Sequence, residues 1–269
     1  MRLEQTVSST QPAQAELTVS NPLDHAVGVR MSAGPYRAPA SAEGGLTRRL
    51  GAPEPNSNIP SAEGWLHFQP DRFTLAPGAS TTVQVRIEPP EAVANDTAGE
   101  YLAAILVDQL PAEESSAHPE QAEGSRLSVV PRLALPVYLQ VEGHLRIQVE
   151  LADVSLRSVR GMAQRRSGEP APELLRIDTA LKNRGTVHVR LTGTYALFRA
   201  TGEMVRSGPL GRTAPILASA TLRLPTLLPL PEPGRYKLAL TVSGADPELL
   251  QREIPFEITG DSRIVQEGK

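Results

Sequence analysis

The 269-residue chain has no cysteine. That excludes structural disulfides, thiolate metal sites and a cysteine nucleophile, without fixing a compartment. Aromatic residues make up only 4% of the sequence, which leaves few platforms on which bases could stack. Neither sign of charge dominates: Lys and Arg total 27, Asp and Glu total 30, and the net charge is −3. No strong field is present to gather nucleic acid or anionic lipid. No run of about 18 apolar residues occurs, so no membrane-spanning helix is written here. The start, Met1 to Val7, has one basic residue and no apolar segment, so it does not read as a secretion signal. An exported protein would have lost its leader before this sequence begins. There is no Gly-x-Ser-x-Gly elbow, phosphate-binding loop or dinucleotide fingerprint. The sequence therefore reads as non-enzymatic and without a cofactor.

The histidines His25, His67, His118, His144 and His188 show no second histidine or carboxylate at metal-ligand spacing on a recognisable element. No metal site is expected. The carboxylate pair Glu113-Glu114 lies in a polar stretch where a raised pKa is not expected. Arg157, Arg160, Arg165 and Arg166 form a basic cluster whose simplest reading is a solvated loop and whose alternative is an anion or polymer contact.

Convincing helical periodicity is also missing, and 25 prolines with 21 glycines argue against long helices. Period two is what the chain does carry. Leu17 and Val19 alternate with polar residues, Asn21-Pro22 turns, and Val27, Val29 and Met31 resume, as a hairpin or as a strand that changes sheets. Trp65 to Phe68 and Phe73 to Leu75 are short strands, and Trp65 is expected to plug a core. Ala76-Pro-Gly78 then turns into Val83, Val85 and Ile87. Tyr101 to Val107 is apolar on both faces, as a central strand requires. Residues 34–60 and 111–125 read as long loops, the second mobile. Arg126 to Val141 is a long alternating strand, in which Pro131 and Pro136 call for an edge or a bulge.

The same grammar returns later. Leu175 to Leu181, Asn183, then Val187 to Leu191 repeats strand, Asn, strand. Ile216 to Leu224 and Gly234-Arg-Tyr236 repeat, in degraded form, Phe73 to Ile87 and Gly99-Glu-Tyr101. About seven short strands per half predict an all-β chain of two tandem immunoglobulin-like sandwiches. We place them at 1–142, with a long 111–125 loop, and at 143–260, followed by a polar, frayed tail at 261–269.

The segments Leu17 to Asn21, Phe73 to Ile87, Gly99 to Pro111 and the strand from Arg126 resemble the first domain of PapD-like periplasmic pilus-assembly chaperones and related two-domain Ig-like cell-envelope proteins. The resemblance covers most of residues 10–141. It implies a periplasmic or cell-surface protein whose partners are other envelope or pilus-type proteins, not nucleic acid. It also implies that strand 126–141 lends alternate apolar side chains to an unfinished subunit. Leu127, Val129, Leu133 and Leu135 are then the partner-strand contacts. The family holds a subunit's terminal carboxylate with a basic pair that includes a lysine in this strand. Leu133 to Val137 offers no lysine, and Arg126 and Arg132 are the candidates. The strand itself is read in two ways, as paired on both sides or as an exposed edge open to strand addition. A structural or adhesive Ig-like surface module that binds a glycan or a host or wall protein, similar to the WxL-interacting proteins, is the alternative function. Oligomeric state is left open.

Overall fold

The structure is a computed structural model that describes residues 2–8, 11–36, 59–95, 99–110, 131–161, 171–211, 215–244 and 250–266. Among the described residues the regular elements are sixteen strands and two short 3-10 helices. The chain forms two compact units, one closing at Leu145 and the other starting at Arg146.

The first unit holds β1 (Leu3–Val7), β2 (Ala13–Ser20), β3 (Val27–Gly34), β4 (Leu66–Gln69), β5 (Arg72–Leu75), β6 (Ser80–Ile87), β7 (Glu100–Leu110) and β8 (Arg132–Val141). They make two sheets, β2-β6-β4 and β1-β8-β7-β3-β5. Alternation decides what lies between them. Leu17, Val83, Val85 and Ile87 from one sheet meet Val29, Met31, Ile105, Val137 and Leu139 from the other in one buried cluster. Trp65 is buried there, 4.3 Å from the Tyr101 ring, as the sequence predicts. β2 and β3 belong to different sheets, so the Asn21 turn is a sheet-to-sheet crossing rather than a hairpin.

The second unit holds β9 (Val149–Arg160), β10 (Glu173–Asn183), β11 (Thr192–Arg199), β12 (Met204–Pro209), β13 (Thr221–Pro229), β14 (Gly234–Ser243), β15 (Leu250–Ile258) and β16 (Ile264–Gln266). Its sheets are β13-β10-β9 and β12-β11-β14-β15-β16. Leu175, Ile177, Leu181 and Leu224 face Leu197, Leu238, Leu240 and Phe256 across the core. Two expectations change here. Residues 187–191 form no strand and make only a bridge, Val189 to Ile216, because this stretch carries the chain from one sheet to the other. The tail is not frayed at 264–266, where Ile264 pairs with Ile258 and packs on the core.

The repeat seen in the sequence is a repeat of hydrogen bonds. The Asn21 amide donates to the His25, Leu75 and Ala76 carbonyls, and its oxygen accepts the Leu23 N–H. The Asn183 amide donates to the Val187 and Ile216 carbonyls, and its oxygen accepts the Gly185 N–H. Each Asn thus closes its own turn and ties it to a segment far away in sequence. Those distant segments match as well. Ala79 donates to Ala76 across Gly78 at φ +70°, and Ala220 donates to Leu217 across Ser219 at φ +60°.

Candidate functional site: a strand covered along half its edge

β8 is antiparallel to β7 from Asp108–Arg132 to Glu100–Gln140. On its other side β1 runs parallel, but only over Val137 to Val141. The pairing of this strand is therefore uneven. Residues 137–141 are paired on both sides, while residues 132–136 have no second neighbour among the described residues.

The ladder shows which groups face that opening. Val141 donates its N–H to Gly99, and Gln109 donates to the Pro131 carbonyl, so odd-numbered residues of β8 turn their peptide groups toward β7. Glu142 donates to Val7, so even-numbered residues turn theirs the other way. Arg132 and Ala134 thus present N–H and C=O along the open side. The two prolines fit this parity. The nitrogen of Pro131 faces β7, so its missing donor costs the open side nothing. The nitrogen of Pro136 faces outward, which is why a proline is tolerated inside this strand.

Side chains divide by the same parity. Val137, Leu139 and Val141 are core, Leu135 packs partly against it, and Leu133 continues the apolar row into solvent at 72% exposed. Val107, directly opposite Leu133 on β7, also borders the core. The outer face is different. Arg30, Asp108 and Arg132 stand side by side on β3, β7 and β8, and Arg72 on β5 extends the row. Asp108 is only 2% exposed. It accepts from Arg30 Nη2 at 2.9 Å, from Arg132 Nη2 at 3.1 Å and from Arg132 Nε. The Arg132 guanidinium holds the Asp108 carboxyl below the ordinary carboxylate range, against the burial that pushes it up. Arg132 is thus not a free cation, because it shares one carboxylate with Arg30. Nothing in the spacing of residues 30, 108 and 132 signals this row, which pairing alone creates.

Of the residues assigned from sequence, Leu133, Leu135 and Arg132 lie on this half-edge, whereas Arg126, Leu127, Val129 and the 111–125 loop lie outside the described residues. Arg157 pairs with Asp178 on its own sheet, and Arg165 and Arg166 are outside the described residues. Among the described residues no group of three or more histidine and acidic side chains is placed to hold a metal, and no helix is long and apolar enough to cross a membrane.

The second unit contains a matching edge with a different finish. β15 is antiparallel to β14 along its length, and β16 covers it only from Phe256 to Ile258. The uncovered half carries exposed Gln251, Arg252 and Glu253 where β8 carries Arg132, Leu133 and Ala134. Charges on an open strand discourage strand addition. A bulge and Pro209 interrupt β12, the strand at the opposite edge of the same sheet. The β8 half-edge has an apolar border instead.

Two immunoglobulin-like β-sandwiches, the first with β8 covered along only part of its outer side among the described residues, are the architecture that the fold defines. No protein-family profile matches the chain, and no curated protein sequence does. Solved structures similar to it are chaperones of the kind that the first half resembles. The class 5 fimbriae chaperone CfaA is 12% identical with a TM-score of 0.45, over 93% of this chain and 95% of that one. The Pseudomonas aeruginosa CupB2 chaperone is 11% identical with a TM-score of 0.43, over 94% and 95%. The Salmonella enterica SafB chaperone, in complex with the SafA pilin, is represented by a chain 12% identical with a TM-score of 0.40, over 94% and 91%. At these values the likeness carries no argument about activity, which has to come from this chain's own geometry.

Proposed function

We propose that this chain is a non-enzymatic, chaperone-like protein of the periplasm or cell surface that holds an extended segment of an envelope or pilus-type protein by strand addition. The observation behind this reading is the half-covered β8. Its 132–136 side offers the peptide groups of Arg132 and Ala134, with the apolar Leu133 and Leu135 beside them. An added strand would gain affinity from main-chain bonds, and selectivity from alternate side chains seated against Leu133, Leu135 and Val107. On the outer face Arg132, held by Asp108, would border the added strand. Arg126, Leu127 and Val129 would continue the acceptor upstream.

The test uses Leu133→Lys and an end-capped peptide of alternating valine and threonine, roughly eight residues long. Leu133 is 72% exposed, so the substitution should leave the melting temperature almost unchanged. It should weaken peptide binding, read by fluorescence anisotropy, by at least about tenfold. Equal binding by both proteins refutes the assignment.

A further inference from the structure

Pro136 stands at the junction between the covered and open halves of β8. In a parallel ladder a residue bonds to the two residues that flank its opposite number. Leu3, opposite Val137, therefore spans Pro136 and Tyr138, and β1 takes up the outward carbonyl of Pro136. The outward nitrogen of Pro136 carries no hydrogen. Any other residue here would present an outward N–H that β1, over Leu3 to Val7, does not take up. With proline, nothing at the junction is left to bond.

The second unit repeats the arrangement. Leu135-Pro136-Val137 in β8 matches Ile254-Pro255-Phe256 in β15. The pairing of β16 also stops at Phe256, one residue from the proline. Thr259 donates to Arg263 on the β16 side, so odd-numbered residues of β15, Pro255 included, face that side. Each unit therefore has a proline, donor-less side outward, where its added strand ends.

We infer that Pro136 is the register stop of the acceptor edge and so determines which stretch of a partner is taken. This rests on the strand-addition reading. An incoming strand can bond with Arg132 and Ala134 but finds no donor at position 136, so its last main-chain bond falls at Ala134. The partner segment thus ends where β1 begins, abutting it instead of sliding alongside. Pro131 cannot play this part, because its nitrogen faces β7.

The absence of native cysteine makes the register directly readable. Ala134→Cys is combined with valine–threonine peptides carrying a single cysteine at each position in turn, and disulfide formation identifies the residue opposite 134. In this background one peptide position should dominate. Adding Pro136→Ala restores an outward N–H, so cross-linking should spread to a position two residues away and binding should tighten roughly fivefold. Ala134→Pro, made separately, moves the stop two residues along. It should abolish peptide binding while the melting temperature is retained, because the Ala134 N–H has no strand partner among the described residues. Unchanged register and affinity in Pro136→Ala, with binding intact, overturns the register stop alone. No cross-link in any background, together with no binding by the unsubstituted protein, overturns strand addition and the stop with it. Should Pro136→Ala prove unfolded by circular dichroism, Ala134→Pro decides: binding that survives it overturns the inference.

Discussion

The sharpest quantitative consequence of the repeated Asn turn concerns Asn183→Ala and Asn21→Ala, which remove the same side chain from equivalent places at unequal cost. Asn183 is fully buried, and so are Gly185 and Val187, whose N–H and C=O it satisfies. The Ile216 carbonyl keeps a second donor, the Val189 N–H, after the loss. Two groups are then stranded away from water, at about 1–3 kcal/mol each, so Asn183→Ala should cost about 3–4 kcal/mol. The partners of Asn21 sit differently. Leu23, His25 and Ala76 are exposed, so water replaces those bonds; of the Asn21 partners only the Leu75 carbonyl is buried, one group against two, and Asn21→Ala should cost only about 1–2 kcal/mol. Urea unfolding measures both. Trp65, the sole tryptophan and part of the first core, reports that unit by fluorescence, and far-UV circular dichroism reports all strands. A cost for Asn183→Ala no greater than that for Asn21→Ala would refute the reasoning, because burial of the bonded groups would then not set the penalty.

Two further outcomes follow from the same geometry. Ser219 occupies the left-handed position that glycine fills at Gly78, so Ser219→Gly should stabilise the second unit by about 0.5 kcal/mol, the relief of backbone strain less the extra chain entropy of glycine. A midpoint that falls in urea would contradict this. Asp108 has a carboxyl pKa lowered in the folded state by Arg132, so its share of stability is present above the unfolded carboxylate range, near about pH 4, and is lost as pH drops below it. Acid titration of Asp108→Asn should show a flatter loss of stability below about pH 4 than the parent protein, and identical slopes would argue that the row of charges contributes no such linkage.

Much of the architecture is legible in the sequence because strands with one buried face must alternate. Leu17 with Val19, Val83 with Val85, and Tyr236 with Leu238 each announce a strand and its inward side. The Asn21 and Asn183 turns are legible for a similar reason, since few residues can bond to both ends of a turn at once. Pairing is harder to read. That β1 covers Val137 to Val141 and no further depends on contact between residues more than a hundred apart, and no local pattern records it. The same holds for the row of Arg30, Asp108 and Arg132, assembled from three strands. Residues 187–191 mislead because their alternation serves burial during a crossing between sheets, where the backbone does not join a ladder.

The contrast between the two half-edges bears on handling the purified protein. The charged rim of β15 disfavours strand addition, whereas on the proposed reading the β8 edge, where Arg132 and Ala134 have no outward strand partner among the described residues, would take a second copy of the chain as well. Soluble stock should therefore self-associate as concentration rises, and a short peptide seated beside Leu133 should keep it dispersed.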